Sequence, residues 1–490
     1  MTYLDILQQY WGYTAFRGIQ EDIIESIGSG RDTLGLMPTG GGKSITFQVP
    51  ALAQEGLCLV ITPLIALMKD QVNNLRARGI KAAAIYTGLT RDEIIVALEN
   101  CIYGGYKFLY VSPERLSSEL FQVKLKRIPV SMITVDESHC ISQWGYDFRP
   151  AYLQIAEIRK LLPGVPVLAL TATATPEVVK DIQVRLGFKQ ENVFRMSFER
   201  KNLAYVVRQT DSKVNELLHI LQRIPGCAIV YTRSRNRTRE VAEFLRQQGI
   251  TAEFYHAGLP NVDKDIRQGK WQRGESRVMV ATNAFGMGID KPDVRYVIHY
   301  DIPKSLEGYY QETGRAGRDG GEGHCLTFYS YKDIQKLEKF MQGKPVAEQE
   351  IGKLLLLETV SYAESSMCRR KTLLHYFGEE YGESNCGCCD NCVSPKPKVD
   401  AKAEMKLMLQ TLQSIGDKFK IDHLVAILTG KVTAQVKSYG HNKLEWFGSG
   451  EEHDAKFWGA VIRQGLIMGL IDKSIENYGL ISVNEKGLAY

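Results

Sequence analysis

Short apolar runs alternate with longer amphipathic stretches between about residues 32 and 330, as expected for strands buried on both faces of a parallel sheet. Stretches such as Leu64–Arg78 and Thr90–Asn100 carry apolar residues at helical spacing. The first series of predicted strands comprises Thr33–Met37, Leu57–Thr62, Phe108–Ser112, Met132–Val135 and Val167–Thr171. This part of the chain therefore predicts an α/β lobe in which helices cover a parallel sheet.

A second series of apolar runs has the same character. Its members are Cys227–Tyr231, Ala252–Tyr255, Arg277–Ala281, Val294–His299 and Cys325–Tyr329. The stretch Phe198–Asp211 between the two series is more polar, and we interpret it as the junction between two α/β lobes.

Beyond Lys332 the pattern is helical as far as a group of cysteines, and Ser394–Lys398, with Pro395 and Pro397, is interpreted as a linker. The last segment contains three helical patterns, Ala403–Ile415, Ile421–Leu428 and Ala455–Met468. Two short strands follow, Leu470–Ile475 and Leu480–Val483, joined through Asn477, Tyr478 and Gly479. Helices followed by a small hairpin predict a winged helix-turn-helix.

Composition narrows the class of protein only slightly. The 490 residues are enough for about three domains, and 44% apolar and 24% charged residues are ordinary for a globular protein. A net charge of +5 does not by itself indicate a nucleic-acid partner, because binding requires basic groups gathered on one face. No stretch approaches the roughly 18 apolar residues of a membrane span, and Met1–Gly12 lacks the apolar run of a signal peptide. We therefore expect a cytoplasmic protein with no membrane partner.

A glycine-rich turn follows the first predicted strand and precedes a helical pattern: Pro38, Thr39, Gly40, Gly41, Gly42, Lys43 and Ser44. Glycines let backbone N–H groups surround a phosphate, and a helix N-terminus adds a favourable dipole. Lys43 would reach the β- and γ-phosphates, and Ser44 would ligate Mg²⁺. Met37 stands where the strict phosphate-loop pattern has glycine, but the triple glycine argues against an ordinary strand–helix turn.

Two further groups of charged residues fit a nucleoside triphosphate. Asp136 and Glu137 follow a predicted strand, where Asp136 suits Mg²⁺ coordination and Glu137 suits activation of a water. Arg315 and Arg318 are three residues apart and could neutralise charge on a γ-phosphate. A solvated acidic turn and a surface arginine pair are the alternative interpretations.

Ten cysteines are unevenly distributed. Five are scattered in the lobes and suit core positions: Cys58, Cys101, Cys140, Cys227 and Cys325. The other five lie between Cys368 and Cys392, where four thiolates at these spacings suit a tetrahedral, structural zinc site. Cys368, Cys386 and Cys392 are three of the ligands, and the spacing leaves Cys388 and Cys389 as candidates for the fourth.

An ordered set of motifs gives the chain a family resemblance. They are FRGIQ (16–20), MPTGGGKS (37–44), TPLIALMKDQV (62–72), VSPERL (111–116), DESH (136–139), HCISQWGYDFRP (139–150), TATAT (171–175), YTRSR (231–235), YHAGL (255–259), ATNAFGMGIDKPDVR (281–295) and YYQETGRAGRDG (309–320). The chain resembles the RecQ helicases of superfamily 2, especially the bacterial form. So many colinear matches make coincidence negligible.

The resemblance implies two RecA-like parallel-sheet lobes, a helical zinc-binding module and a winged-helix domain. We expect these at residues 1–205, 206–338, 339–398 and 399–490, without the further C-terminal HRDC domain that relatives often have. The family pattern favours Cys389 over Cys388 as the fourth zinc ligand.

The resemblance also assigns roles to single residues, with ATP, Mg²⁺ and Zn²⁺ as cofactors. Tyr13 would stack on adenine while Arg17 and Gln20 read its edge, and Thr39, Gly40, Gly42, Lys43 and Ser44 would hold the phosphates. His139 and Gln311 would couple the nucleotide to the lobe interface, and Arg318 would be the arginine finger with Arg315 beside it. Trp144, Phe148 and Arg149 belong to an aromatic loop that senses single-stranded DNA, although packing between the lobes would also explain them.

Three departures from the family pattern stand out. DESH replaces the commoner DEAH, and Gly18-Ile19 replaces Pro-Gly in the first motif. Tyr146 stands where relatives often have histidine, so the role of that residue is not transferred.

The resemblance predicts a 3′→5′ DNA helicase that hydrolyses ATP, acts in recombination and repair, and works as a nucleoid-associated monomer. Single-stranded and duplex DNA are the expected partners, with a single-stranded-DNA-binding protein and a topoisomerase as further ones. Lys437, Lys443 and Arg463 are candidate phosphate contacts in the last segment, or a solvated basic face. An RNA helicase and a DNA-binding scaffold with a decayed ATPase are the alternatives.

Overall fold

The computed structural model describes residues 1–286, 291–330, 333, 337, 346–395, 399–474 and 480–490. The predicted Asn477–Gly479 turn lies outside them. Four other sequence interpretations fall partly outside: the second half of the predicted linker, the end of the predicted strand Leu470–Ile475, the start of the helical pattern beyond Lys332, and residues 287–290 of the ATNAFGMGIDKPDVR motif. Among the described helices, none has the length and apolar character needed to cross a bilayer.

The first lobe is a seven-stranded parallel sheet in the order β3-β4-β2-β5-β6-β1-β7. Its strands are β1 (Thr33–Leu36), β2 (Leu57–Ile61), β3 (Ala82–Ile85), β4 (Phe108–Val111), β5 (Val130–Val135), β6 (Val167–Thr171) and β7 (Val193–Arg195). Its helices are Tyr3–Trp11, Gln20–Gly28, Lys43–Ala53, Ile65–Ala77, Arg91–Tyr103, Glu119–Leu125, Gln154–Leu161 and Pro176–Arg185, with short 3₁₀ turns at Pro113–Arg115, Ser138–Ile141 and Pro150–Leu153. Apolar side chains on both faces of the sheet are buried under these helices.

The second lobe is a six-stranded parallel sheet in the order β10-β11-β9-β12-β13-β8. Its strands are β8 (Leu203–Gln209), β9 (Cys227–Tyr231), β10 (Ala252–Tyr255), β11 (Val278–Ala281), β12 (Val294–His299) and β13 (Gly323–Tyr329). Its described helices are Lys213–Arg223, Arg235–Gln247, Asn261–Gln272 and Leu306–Thr313. The prediction of two lobes with parallel sheets is confirmed.

The interpretation of Phe198–Asp211 as the junction between the lobes is right for residues 198–202 and wrong for the half of the range that forms a strand. Residues 203–209 form β8, which pairs with β13 at the edge of the second sheet. An edge strand has a partner on one side only, and the last two residues of β8 are exposed. Polar residues are therefore tolerated at this end of the strand. The true connection between the lobes is the short segment between β7 and β8.

The rest of the chain is mainly helical. Val346–Glu364, Arg369–Tyr376 and Asp390–Val393 surround the cysteine group, and Lys402–Ile415, Ile421–Leu428, Ala434–Ser438, Ala455–Ile467 and Glu485–Leu488, with a 3₁₀ turn at His441–Lys443, build the last segment. There β14 (Ile471–Ser474) pairs antiparallel with β15 (Leu480–Val483), and fully buried Trp458 lies in the core beneath. The predicted helices and hairpin are therefore present.

Candidate nucleotide and zinc sites

The glycine-rich turn lies at the carboxyl end of β1, between the strand and helix Lys43–Ala53. Gly40 and Gly42 adopt positive φ angles of 86° and 76°, which lets the backbone curl without a side-chain clash. The Gln20 side-chain amide donates to the carbonyl oxygens of Gly41 and Gly42 at 3.3 and 3.1 Å. A Cβ on Gly42 would lie 2.3 Å from that amide nitrogen, so only glycine fits. Gln20, predicted to read adenine, here fixes the shape of the phosphate loop.

Tyr13 and Arg17 lie beside this loop on the surface. The Arg17 guanidinium is 5.6 Å from the centre of the Tyr13 ring, and Tyr13 is 48% exposed. A nucleotide base stacking on Tyr13 would meet an open aromatic face with a cation next to it.

The acidic pair follows β5, one strand away from the loop across β6. Burial, and then the adjacent charge of Glu137, raise the pKa of Asp136 to about 6, while Lys43 opposes the shift. Glu137 is 7% exposed, and its Oε2 atom has no hydrogen-bond partner among the described residues. Its backbone is left-handed with a φ of 49°, a strained conformation for a residue with a side chain. Buried, undercompensated negative charge near Lys43 of the phosphate loop suits a divalent cation, so the acidic pair fits Mg²⁺.

The turn that carries the arginine pair lies against the glycine-rich turn of the first lobe. A Cβ placed on Gly314 would lie 3.9 Å from the Cβ of Thr39, so the two motifs are adjacent across the cleft. Arg315 is only 5% exposed and lies against the Tyr231 hydroxyl, while Arg318 is half-buried. Both arginines follow helix Leu306–Thr313, whose last turn therefore places them at the cleft.

A series of contacting side chains connects the two lobes beside the acidic pair. The Nδ1 atom of His139 is 2.8 Å from Thr171 Oγ1 and 3.5 Å from Glu137 Oε2. The imidazole stacks on the Tyr146 ring with centroids 4.9 Å apart, and the Tyr146 hydroxyl donates to Gln311 Oε1 at 2.8 Å. Burial lowers the pKa of His139 to about 4, so this imidazole is neutral at physiological pH. Tyr146 thus forms a direct hydrogen bond between the lobes.

The remaining residues of the aromatic loop have packing partners. Trp144 packs against the core of the first lobe, and Phe148 is half-buried. Arg149 donates from Nε and Nη2 to Asp147 Oδ2 at 3.2 and 3.1 Å. The contacts of Trp144 and Arg149 are therefore within the first lobe, and the cross-lobe hydrogen bond of this loop is that of Tyr146.

Four cysteines come together beside the second lobe. The Sγ atoms of Cys368, Cys386, Cys389 and Cys392 all lie within 4.8 Å of one another. Zinc–sulfur bonds of about 2.3 Å in a tetrahedron place sulfur atoms about 3.8 Å apart, so these thiols fit Zn²⁺. Cys388 instead turns toward Leu203 O and the Arg370 guanidinium, 3.8 and 3.4 Å away.

The candidate phosphate contacts of the last segment differ in their surroundings. Lys437 and Lys443 are exposed. Burial lowers the pKa of Arg463, which lies beside Glu364 and Tyr329 of neighbouring elements. Arg463 is half-buried beside these groups, in contrast to the two exposed lysines.

Four family profiles match consecutive parts of the chain. Family profiles match residues 17–182 (DEAD/DEAH box helicase), 212–320 (helicase conserved C-terminal domain), 331–393 (RecQ zinc-binding) and 395–490 (RQC domain). The ATP-dependent DNA helicase RecQ of Pasteurella multocida (strain Pm70) is 39% identical over 97% of this chain and 76% of its own length. The chain belongs to the RecQ helicase family.

Similarity also extends to proteins with other names and to solved helicase structures. A putative ATP-dependent RNA helicase, R290, of Acanthamoeba polyphaga mimivirus is 36% identical over 99% of this chain and 91% of its own. The solved structure of S. cerevisiae Dbp5 bound to RNA and ADP BeF3 aligns with a TM-score of 0.53 and 16% identity, over 72% of this chain and 97% of that one. At that identity the likeness shows a shared fold alone, that of two RecA-like lobes.

Sequence reasoning missed several residues of this RecQ site. Tyr146 was set aside because it departs from the family pattern, yet it bonds to Gln311 across the cleft. Arg200 and Asn202 lie in the connection between lobes and bind the turn that carries the arginine pair. No local pattern could have found these contacts, because the partners are more than a hundred positions apart.

Proposed function

We propose that this chain hydrolyses ATP to translocate along single-stranded DNA in the 3′→5′ direction and to unwind duplex DNA. The observation that supports it most is the approach of Thr39 to Gly314, which sets the phosphate loop opposite the arginine turn. A nucleotide held there would be contacted by both lobes. Binding and hydrolysis would then alternately close and relax the cleft.

The residues have separable tasks in this proposal. Lys43 and the loop N–H groups bind the phosphates, and Glu137 orients the attacking water and accepts its proton. Arg318 neutralises charge that develops on the transferred phosphoryl group, a role that contributes about 10³–10⁵ in rate. Ser44 and Asp136 would hold Mg²⁺, which would supply positive charge to offset that of the phosphates. Opening one base pair costs roughly 0.6–2.2 kcal/mol of stacking, so a step of about one pair per ATP is energetically undemanding.

An ATPase assay on Lys43→Ala tests the nucleotide site. We expect turnover to disappear, with single-stranded DNA present or absent. Lys126→Ala is the matched control, because Lys126 is exposed and precedes β5 at the opposite edge of the sheet. Retained turnover in Lys43→Ala would show that hydrolysis takes place elsewhere or differently.

DNA is favoured over RNA because the chain carries RecQ zinc-binding and RQC regions beyond the lobes. The mimivirus relative named as an RNA helicase keeps the alternative worth testing. Strand displacement on matched DNA and RNA duplexes, with a tail on either the 3′ or the 5′ end, separates them. Displacement only from the 3′-tailed DNA supports the proposal, and faster displacement of RNA contradicts it.

Further parts of the proposal rest on family membership alone. We propose a cytoplasmic, nucleoid-associated monomer that acts in recombination and repair. A single-stranded-DNA-binding protein and a topoisomerase are its proposed protein partners. Co-purification with chromosomal DNA, and pull-down with each partner class, test these statements.

A further inference from the structure

The connection between the two lobes contacts the arginine turn directly. Arg200, in this connection, donates from Nη1 to Gly314 O at 3.2 Å and from Nη2 to Ala316 O and Gly317 O at 3.0 and 3.1 Å. These three carbonyls belong to the turn that contains Arg315 and immediately precedes Arg318. A planar guanidinium suits this task because its N–H donors spread in a fixed fork.

Asn202 holds the far side of the same turn. Its side-chain amide donates to Gly317 O at 2.8 Å and to Gly321 O at 2.7 Å. Gly317 has a positive φ of 56°, and a Cβ there would lie 2.5 Å from that amide nitrogen. The turn is therefore shaped around the side chain of Asn202 as well as that of Arg200.

The hydrogen bonds of the Arg200 guanidinium go to this one turn. Among the described residues no carboxylate forms an ion pair with Arg200, and its three hydrogen bonds are to backbone carbonyls of the turn. A change at Arg200 would therefore act first on the turn. The same turn contains Arg315, leads into Arg318 and lies against Thr39 of the phosphate loop.

We propose that Arg200 is a positioning residue for ATP hydrolysis, which fixes the backbone from Gly314 to Gly317 so that Arg318 meets the γ-phosphate. The inference rests on the proposed ATPase function. Because displacement of a catalytic group by about 1 Å can cost 10²-fold in rate, the loss of these bonds should act on turnover more than on binding.

The zinc-binding region holds the connection from the other side. Glu379 accepts from the backbone N–H of Phe198 at 2.7 Å and from the Ser197 hydroxyl. Arg370 donates to Lys201 O and Leu203 O at 3.0 and 3.1 Å. Arg200 thus projects from a segment that is fixed at both ends, which gives it a defined position from which to hold the turn.

The test is steady-state ATPase kinetics of the full chain with saturating single-stranded DNA. We expect Arg200→Ala to lower kcat by about 10- to 100-fold, with the KM for ATP and the Kd for DNA changed less than about twofold. Arg200→Lys should be impaired too, because one ammonium cannot serve three carbonyls in the geometry of the fork. Asn202→Ala is a second variant in case Arg200→Ala fails to fold, with a smaller expected loss in kcat.

A double-mutant cycle separates positioning from general destabilisation. If Arg200 acts through the arginine finger, Arg200→Ala combined with Arg318→Ala should be no slower than Arg318→Ala alone. The inference is wrong if the kcat losses of the two single variants multiply in the double variant. It is also wrong if both Arg200 variants keep the wild-type kcat while Arg318→Ala is impaired. Either result would leave the proposed function unaffected. Full activity of Arg318→Ala would instead remove the assigned finger, and the failure would then belong to the proposed function.

Discussion

The hydroxyl of Tyr146 offers a direct test of how the two lobes communicate. It donates a hydrogen bond to Gln311 Oε1, and the ring that carries it stacks on His139 at an interplanar angle of 14°. Tyr146→Phe removes that hydroxyl and keeps the ring. The substitution therefore breaks the bond between lobes without disturbing the stack within the first lobe.

The magnitude follows from the kind of bond that is lost. A neutral hydrogen bond contributes about 0.5–1.5 kcal/mol net, and each 1.36 kcal/mol corresponds to tenfold in rate. If the closed cleft is the state that hydrolyses ATP, DNA-stimulated kcat should fall by about two- to twelvefold. The KM for ATP should change little, because Tyr146 does not contact the phosphate loop.

The assay compares ATP turnover with and without single-stranded DNA. Tyr103→Phe is the matched control, since Tyr103 is 69% exposed on the outer helix Arg91–Tyr103. We expect Tyr146→Phe to lower the DNA-stimulated rate while Tyr103→Phe leaves it unchanged. A Tyr146→Phe enzyme with wild-type stimulation would refute the reasoning, because the bond would then have no part in coupling.

Three further predictions concern charge, metal and DNA. Because burial raises the pKa of Asp136 to about 6, its ionised form destabilises the fold above that pH. Asp136→Asn should therefore abolish ATP turnover and yet raise the melting temperature at about pH 7.5. Scanning fluorimetry should show this gain in melting temperature shrinking as the pH falls from about 6 toward 4. Cys392→Ala should lower bound zinc, measured by atomic absorption, and soluble yield, whereas Cys388→Ala, outside the thiol quartet, should retain zinc; equal zinc loss in both would contradict the ligand assignment. Lys437→Ala should reduce the slope of log affinity for duplex DNA against log salt by about one, whereas Arg463→Ala should lower the melting temperature and leave the slope unchanged; the reverse pattern would show that Arg463 is the phosphate contact.

The sequence predicted those parts of the lobes and sites whose residues lie close together in the chain. The glycine-rich turn, the acidic pair and the cysteines each lie within short segments whose composition reflects their environment. The four-residue strand β3 was missed because Ala82, Ala83 and Ala84 favour helices over strands. The edge strand β8 was missed because its exposed half keeps the polar residues that elsewhere mark a junction.

The least predictable features are contacts between distant segments. Arg200 binds Gly314 across 114 positions, and Tyr146 binds Gln311 across 165. Such pairs depend on how the two sheets are placed relative to each other, which no periodicity within one segment records. The zinc quartet shows the opposite case, since three of its members lie within seven residues of one another.

The grip of the zinc-binding region on the interlobe connection limits how the cleft can open. Phe377 stacks on Phe198 at 4.7 Å, Tyr376 donates to Glu307 at 2.8 Å, and a Cβ on Gly378 would lie 2.6 Å from a Pro176 ring atom. One short stretch of this region therefore touches the first lobe, the connection and the second lobe together. A rotation of the lobes that kept all three contacts would have its axis close to Phe377. The zinc-binding region would then form the hinge between the lobes and would not move with either lobe alone.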